Sequence, residues 1–482
     1  MTETNQGPYV VGVDCGTQSA KVVIYDARGH EVSRGRQVLR PMDRPRPGVA
    51  VHPDDDLWDS ICAASQDAMS NFTGNVSEIV AVGLCPIRCC KAFLRSDGSL
   101  VEPVLSWMDE RAYQPYVPAN PDFVFATTLS GYIAHRFTRC RRDTAANNIS
   151  SQWPIDTDTW QWSNDPLLFS KFGIRREMLF DLQMPGEIIG PITIEAATKT
   201  GFPVGIPAVA TANDKAVEML AVGSLNNETA LVSLGTYIAA MVHGDVNHRS
   251  PANFWTNFAS ISNRYLYESN GIRRGMWTVT WFLDLLGREV AERAESLGLS
   301  REEYLEPEAS EVPAGSDGLV TVLDWLASAD TPFRKGVLLG FDARHTRGHI
   351  YRSILEAIAL TMKLNVDSMA RELDTSLNEI VLSGGGSASP LMMQIFADVF
   401  NLPTSRNLGG GGASLGAAMC AAKAVGLFPD VETAAETMAS SRETFIPNPA
   451  NTTVYRKLLD AGYADIRAAT DTVLKNTYAI FD

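Results

Sequence analysis

Two aspartates and the glycines that follow strand-like runs hold the residue types in this chain that could do chemistry. In VVGVDCGTQSAKVVIYD, residues 10–26, an apolar run ends on Asp14, turns through Cys15, Gly16, Thr17, Gln18 and Ser19, and returns as a second run ending on Asp26. Gly16 lets the backbone approach an anion, Thr17, Gln18 and Ser19 offer short donors, and Asp14 can hold a metal-bound water. The set suits a nucleoside triphosphate with Mg²⁺, and equally an ordinary hairpin with a polar turn. A second glycine-bearing strand end, Gly235-Thr236 in TALVSLGTYIAAMV, repeats this logic. Just before it, IPAVATANDKAVEML places Asp214 after an apolar strand and before a helical run, where α/β sheets build their sites. Asp214 can also serve there as a helix N-cap.

The elements that must position these groups can be read from periodicity. Tyr9–Asp14, Ala20–Asp26 and Glu31–Gln37 form a predicted antiparallel meander, followed by a helix over HPDDDLWDSICAASQDAM with Asp54 as its cap and Leu57, Trp58, Ile61 and Ala64 on one face. Ile79–Leu84 reads as a buried strand. A new series of strands and helices begins near His243. Its longest helix is expected in HIYRSILEAIALTMKLNVDSMAREL, where Ile350, Ile354, Leu355, Ile358, Met362, Val366 and Met369 recur at helical spacing. NEIVLSGGGSASPLMMQIFADVF then gives a strand, the glycines Gly384, Gly385 and Gly386, and a helix opening near Ser389-Pro390. NLGGGGASLGAAMCAA reads as a turn into a close-packed helix or as a further piece of a nucleotide pocket.

With 482 residues, of which 45% are hydrophobic and 20% charged, the chain can fill two or three domain cores. A net charge of -15 argues against nucleic acid or an anionic membrane as its main partner. The first residues lack a basic leader and no apolar run is long enough to span a bilayer, so cytoplasmic residence is expected. Seven cysteines suit reduced thiols. Cys85, Cys89 and Cys90 crowd GLCPIRCC without the spacing or the nearby His that a zinc site needs, and read as packed thiols near a pocket.

The ordered set resembles the FGGY carbohydrate kinases, members of the actin-like, ribonuclease-H-like ATPase superfamily. The resemblance covers nearly the whole chain and rests on VGVDCGTQSAKVVIYD, WMDER at Trp107–Arg111, TANDKA around Asp214, SLGT at Ser233–Thr236, RKGVLLGFDARHTRGHIYRSILEAIAL and LSGGGSASPLMMQIFADVFNLP. It implies an α/β fold of two actin-like domains, residues 1–244 and 245–482, with a ligand cleft between them. By the matching motifs, Asp214 resembles the general base and, with Asp14, a holder of Mg²⁺. Gly16, Thr17 and Gln18 resemble one phosphate loop, Gly235 and Thr236 the second, and Gly384 and Gly385 the turn that contacts the nucleoside of ATP. Arg88, Trp107 and Asp109 look like contacts to a sugar or polyol, although Asp109 and Arg111 can also pair structurally beneath the pocket. The family also implies a homodimer as the assembly.

Three departures from the family pattern bear on the acceptor. Cys89 stands where glycerol kinases carry Glu, which weakens a glycerol assignment, and the Met-His pair usual in xylulokinases is absent too, so Arg88 is expected either to bind an oxygen-rich ketose or an acidic sugar or to form a structural ion pair. The segment VPANPD, residues 117–122, replaces a longer insertion beside the substrate wall. Lys215 takes the place of a Gln after the catalytic Asp, where a cation favours the ionised carboxylate or draws in a phosphate. The expected activity is ATP- and Mg²⁺-dependent phosphorylation of a small ketose or polyol, a pentulose preferred over glycerol. The competing expectation is an ATP-binding sensor or scaffold of the same fold that has lost turnover.

Overall fold

In the computed structural model the described residues are 7–481 except 118, 119, 121, 329, 410 and 411. Parts of the short 117–122 crossing and of the glycine run before Ser414 therefore lie outside them.

The meander forms as the alternation of apolar residues demands. Tyr9–Cys15 (β1), Ser19–Asp26 (β2) and Glu31–Val38 (β3) pair antiparallel in sequence, and Ile79–Pro86 (β4) runs parallel beside β1. Ile188–Pro191 (β5) and Pro207–Ala210 (β6) extend the sheet, β6 parallel to β4 and β5 antiparallel to β6. The resulting order is β5-β6-β4-β1-β2-β3. Helix α1, Asp56–Asn71, covers this sheet with Leu57, Trp58, Ile61 and Ala64 buried. Asp54 does not cap it: its φ of 47° turns it aside to pair with Arg40 at 3.2 Å. Asp55 occupies the cap position, but its carboxylate is held by the Tyr132 hydroxyl and Arg136 instead.

A second sheet repeats the topology of the first. Thr229–Leu234 (β7), Ile238–Gly244 (β8), Phe254–Phe258 (β9), Tyr265–Ser269 (β10), Glu379–Ser383 (β11), Thr404–Asn407 (β12) and Arg442–Phe445 (β13) assemble in the order β9-β10-β8-β7-β11-β12-β13. Here β7, β8 and β10 stand where β1, β2 and β3 stand in the first sheet. Likewise β11, β12 and β13 match β4, β6 and β5 in both neighbour and direction. The extra strand β9 lies on the far edge. Because β7 and β8 belong to this sheet, the division expected at Gly244 cuts through it; the first sheet ends at Ala210 and the second begins at Thr229. The β7–β8 hairpin looked like part of the first half because its residues copy those of the β1–β2 hairpin.

Four helices complete the frame around the site. Helix α2, Asp214–Ala221, links the sheets, and α3, Arg347–Glu372, buries Ile354, Leu355, Ile358, Met362, Val366 and Met369 as its periodicity requires. Helix α4, Pro390–Phe400, opens as Ser389-Pro390 suggests: the Ser389 hydroxyl accepts from the Met392 N–H at 3.1 Å and Pro390 fills the first turn. Helix α5, Gly412–Ala424, comes from the second half of the chain but packs on the first sheet. Gly12 and Gly83 permit that approach. A Cβ on either would stand 1.8 Å from the Ser414 carbonyl oxygen or 2.0 Å from that of Ala417.

Candidate active site

The ends of β1, β7 and β11 and the start of α2 converge, and each brings polar side chains that local sequence alone does not pair. At the start of α2 the cap is Asn213, whose side-chain oxygen accepts from the Ala216 N–H at 3.1 Å. Asp214 is thereby freed from capping and becomes the first helical residue. Its Oδ1 is buried without a hydrogen-bond partner, 3.5 Å from Arg88 Nε. Such an atom has lost water and kept its charge-bearing role, which calls for a ligand or a proton to receive.

Asp14, at the end of β1, is the second carboxylate. Burial pushes its pKa up to about 6, Lys21 at 4.0 Å opposes the shift, and the fields of Asp214 and Glu218 add to it. Two carboxylates whose fields are felt mutually, with a buried oxygen left unpaired, fit a hard divalent cation that takes its remaining ligands from water and phosphate. Among the described residues no three His, Cys, Asp or Glu side chains gather as a complete protein cage.

Around these carboxylates lie three glycine turns with open space beside them. A Cβ on Gly16 or Gly235 would meet nothing nearer than 3.6 Å and 3.9 Å, and one on Gly385 nothing within 4 Å. Gly16 donates to the Ser19 carbonyl at 3.0 Å, closing the first turn, and Thr17 Oγ1 accepts from Trp107 Nε1 at 3.3 Å. Gln18 is exposed, its carbonyl tied to the Leu39 N–H at 3.0 Å. The Gly235 and Thr236 carbonyls accept from the Met276 and Gly275 N–H groups at 3.2 Å and 3.0 Å. Gly384 differs from its neighbour: φ is +82° and a Cβ would stand 2.6 Å from the Leu234 carbonyl oxygen, so the turn lies directly on the end of β7.

Beneath the loops runs a network that the sequence reading did not find. Lys215 is buried with its ammonium on the Glu218 carboxylate at 3.3 Å and on the Ser233 hydroxyl. Glu218 also accepts from Ser233 at 3.2 Å and from Ser383. Burial pulls the Lys215 pKa down, but Glu218 and Asp214 outweigh it and hold the ammonium charged. One helix turn of α2 is thus tied to the last residues of β7 and β11, the strands that carry the Gly235 turn and the Gly384 turn. The spacing of Lys215 and Glu218, three residues apart in a helix, was a readable signal.

Arg88 leads a further group beside Asp214. Its two terminal nitrogens donate to both oxygens of Glu268 at 2.7 Å and 2.8 Å, and its guanidinium lies 5.5 Å from the ring centre of Trp255. Glu268, fully buried on β10, also accepts from Asn257 Nδ2 at 3.1 Å. No local signal marks Glu268, which is 180 residues from Arg88 and meets it only in the folded chain: Arg88 follows β4 of the first sheet, and Glu268 lies on β10 of the second. Trp107 is half-buried against Thr17, whereas Asp109 is fully enclosed: Ala50 N–H, Arg111 N–H and the Arg111 guanidinium fill both its oxygens. Asp109 shapes the loop below Trp107 and presents no free oxygen to a ligand. Burial raises the Cys89 thiol pKa to about 11, and the residue sits at φ 62° with its carbonyl accepting from Gln152 at 3.1 Å. Cys85 and Cys90 are buried.

This pairing of repeated sheets with a cleft of carboxylates and glycine turns defines a phosphotransferase of the sugar-kinase class. Residues 9–117 match the N-terminal domain, and residues 230–425 the C-terminal domain, of the FGGY family of carbohydrate kinases. The chain is 47% identical over 472 residues to the "Uncharacterized sugar kinase YgcE" of Escherichia coli (strain K12), covering 98% of this chain and 96% of that one. Its fold matches the ligand-bound xylulose kinase from Lactobacillus acidophilus with a TM-score of 0.82 at 20% identity, over 97% and 99% of the two chains. A gluconate kinase from Lactobacillus acidophilus gives 0.81 at 20% identity over the same shares. The chain belongs to the FGGY family of carbohydrate kinases and is an ATP-dependent sugar kinase acting on a small-molecule substrate. No described helix is long and apolar enough to cross a membrane.

Proposed function

We propose that the protein transfers the γ-phosphate of ATP to a hydroxyl of a small ketose or polyol, a pentulose being preferred, with Asp214 as the general base. The observation that carries this reading is the buried, unpartnered Oδ1 of Asp214 beside Arg88, created by the cap that Asn213 takes. Asp214 accepts the proton of the acceptor hydroxyl as that oxygen attacks phosphorus, and the bond to the leaving ADP oxygen breaks. An alcohol loses its proton late in such a reaction, so a carboxylate suffices as base.

Gly16, Thr17 and Gln18 hold phosphate from the first half, Gly235 and Thr236 from the second, and Gly384 with Gly385 receives the nucleoside. Asp14 and Asp214 would hold Mg²⁺, which when bound neutralises phosphate charge. Lys215 supplies fixed positive charge below the same point. Arg88 and Trp107 orient the acceptor, and alignment with charge neutralisation supplies most of the rate. Each half of the chain acts as one domain, divided between Ala210 and Thr229, and closure of the cleft on both ligands keeps water from the γ-phosphate. Cytoplasmic residence fits seven free cysteines among the described residues. A homodimer fits the terminal helix Ile466–Phe481, which leaves Val473, Ile480 and Phe481 exposed.

Xylulose is neutral and gluconate is an anion, so the shared fold leaves the acceptor's charge open. The deciding experiment is ADP release with Mg²⁺-ATP across pentuloses, hexuloses, pentitols, tetritols, glycerol and sugar acids. Strong turnover with a pentulose supports the reading; turnover confined to glycerol removes the pentulose preference, and turnover confined to sugar acids removes the reading.

A further inference from the structure

The charges around Arg88 narrow the acceptor class, and the argument rests on the acceptor-site reading above. Arg88 is the only cation among the described residues whose donors face both Asp214 and Glu268. Glu268 engages one N–H on each terminal nitrogen in the planar fork geometry that a bound carboxylate would otherwise take. Nε faces Asp214, leaving the outer N–H of each terminal nitrogen for a further acceptor. Two carboxylates thus surround one guanidinium, and Glu268 is fully buried with Asn257 holding one of its oxygens. Of the other cations, Lys215 is bound to Glu218 and Ser233, exposed Arg273 donates to the Ala327 carbonyl, and Lys91, whose Nζ has no hydrogen-bond partner, is sealed at 1% exposure over Trp153. Cys89 stays a neutral thiol at pH 7.

We infer that Glu268 is a specificity-determining residue: by filling the fork of Arg88 and leaving the site with excess negative charge, it selects neutral polyhydroxylated acceptors and rejects aldonates. Single hydroxyl oxygens fit the outer N–H groups that Glu268 leaves free. A carboxylate would need the fork itself and would face both Asp214 and the fully buried Glu268, around which like-charge repulsion is least screened.

The test measures binding, so that it does not depend on turnover. Ketopentoses and ketohexoses are titrated calorimetrically against aldonates of matched chain length, with a non-hydrolysable ATP analogue and Mg²⁺ present. Wild-type protein is expected to favour the ketoses by at least about tenfold, with Glu268→Gln narrowing that ratio by about tenfold or more and Glu268→Asp keeping it. An aldonate bound as tightly as its ketose in the wild type overturns the inference, even where Glu268→Gln fails to fold. So do an unchanged ratio in Glu268→Gln, equal loss of the ratio in Glu268→Asp, and absence of binding by every neutral sugar. A ketose that binds but releases no ADP with Mg²⁺-ATP removes the proposed transfer reaction and leaves the role of Glu268 standing.

Discussion

Asn213 caps the helix that Asp214 begins, and this division of labour between adjacent residues decides what each can do. The Asn213 side chain takes the Ala216 N–H at 3.1 Å, so Asp214 spends neither oxygen on the backbone. Under the reading proposed above, that freedom leaves the carboxylate available to receive a proton.

Replacing that carboxylate separates binding from transfer. Asp214→Asn keeps the shape of the helix start and removes the proton acceptor, so kcat is expected to fall about 10²- to 10⁴-fold. ATP affinity should change little, because the proposed nucleoside and phosphate contacts lie on other loops. Steady-state kinetics beside calorimetric ATP titration checks both halves. Turnover within threefold of wild type would take Asp214 out of the base role.

Asp14 gives a pH signature whose sign follows from its environment. Burial raises its pKa from 3.8 to about 6, so the folded protein binds this proton more tightly than the unfolded chain does. Its contribution to stability is complete below 3.8 and is lost as pH rises through about 6; above that, the ionised group costs about 3 kcal/mol. Asp14→Asn is therefore expected to raise the denaturation midpoint of the ligand-free protein at pH 8 while weakening Mg²⁺-ATP binding. In the wild type, Mg²⁺ affinity should fall below pH 6, because the cation needs the carboxylate ionised. A pH-independent Mg²⁺ affinity between pH 5 and 8 contradicts this.

How far the chain could be read in advance depended on whether a group's partner was local. The meander, the long helix Arg347–Glu372 and the Ser389 cap follow from periodicity and capping residues, which act over a few positions. The carboxylates and glycine turns were legible because each sits at a strand end. Glu268 was invisible, since an isolated Glu in the strand Tyr265–Ser269 carries no sign of Arg88, which belongs to the other sheet's side of the fold. Asp54 misled for a related reason: three consecutive aspartates offer three candidate caps, and Arg40, Tyr132 and Arg136 decide among them from a distance. The division at Gly244 failed to register that a hairpin resembling the first one starts a new sheet.

Lys215 and Glu218 are expected to behave as one unit. Glu218→Ala leaves a buried ammonium with Ser233 alone, a loss of about 3 to 5 kcal/mol, whereas Lys215→Gln leaves Glu218 with two hydroxyl donors and costs less. The double variant Lys215→Gln/Glu218→Ala removes both charges and should recover most of the stability lost in Glu218→Ala. Chemical denaturation of the four proteins yields the coupling directly. Simple additivity would mean that the pair does not hold the loops together.

Neighbouring glycines in the Gly384 turn should respond in opposite ways to a single methyl group. At Gly384 the backbone, φ +82° and ψ -179°, lies where essentially only glycine is found, and a Cβ would press on the Leu234 carbonyl at 2.6 Å. Gly384→Ala is expected to cost about 1 to 3 kcal/mol and to disturb the Gly235 turn, which begins at the next residue after Leu234. Gly385 faces open space, so Gly385→Ala leaves the fold intact. Any loss it causes must come from the ligand side, where the added methyl narrows the approach to the nucleoside. Thermal unfolding should therefore single out Gly384→Ala, while ATP titration should show weaker binding in both variants. An unchanged ATP affinity in Gly385→Ala would place the nucleoside away from this turn.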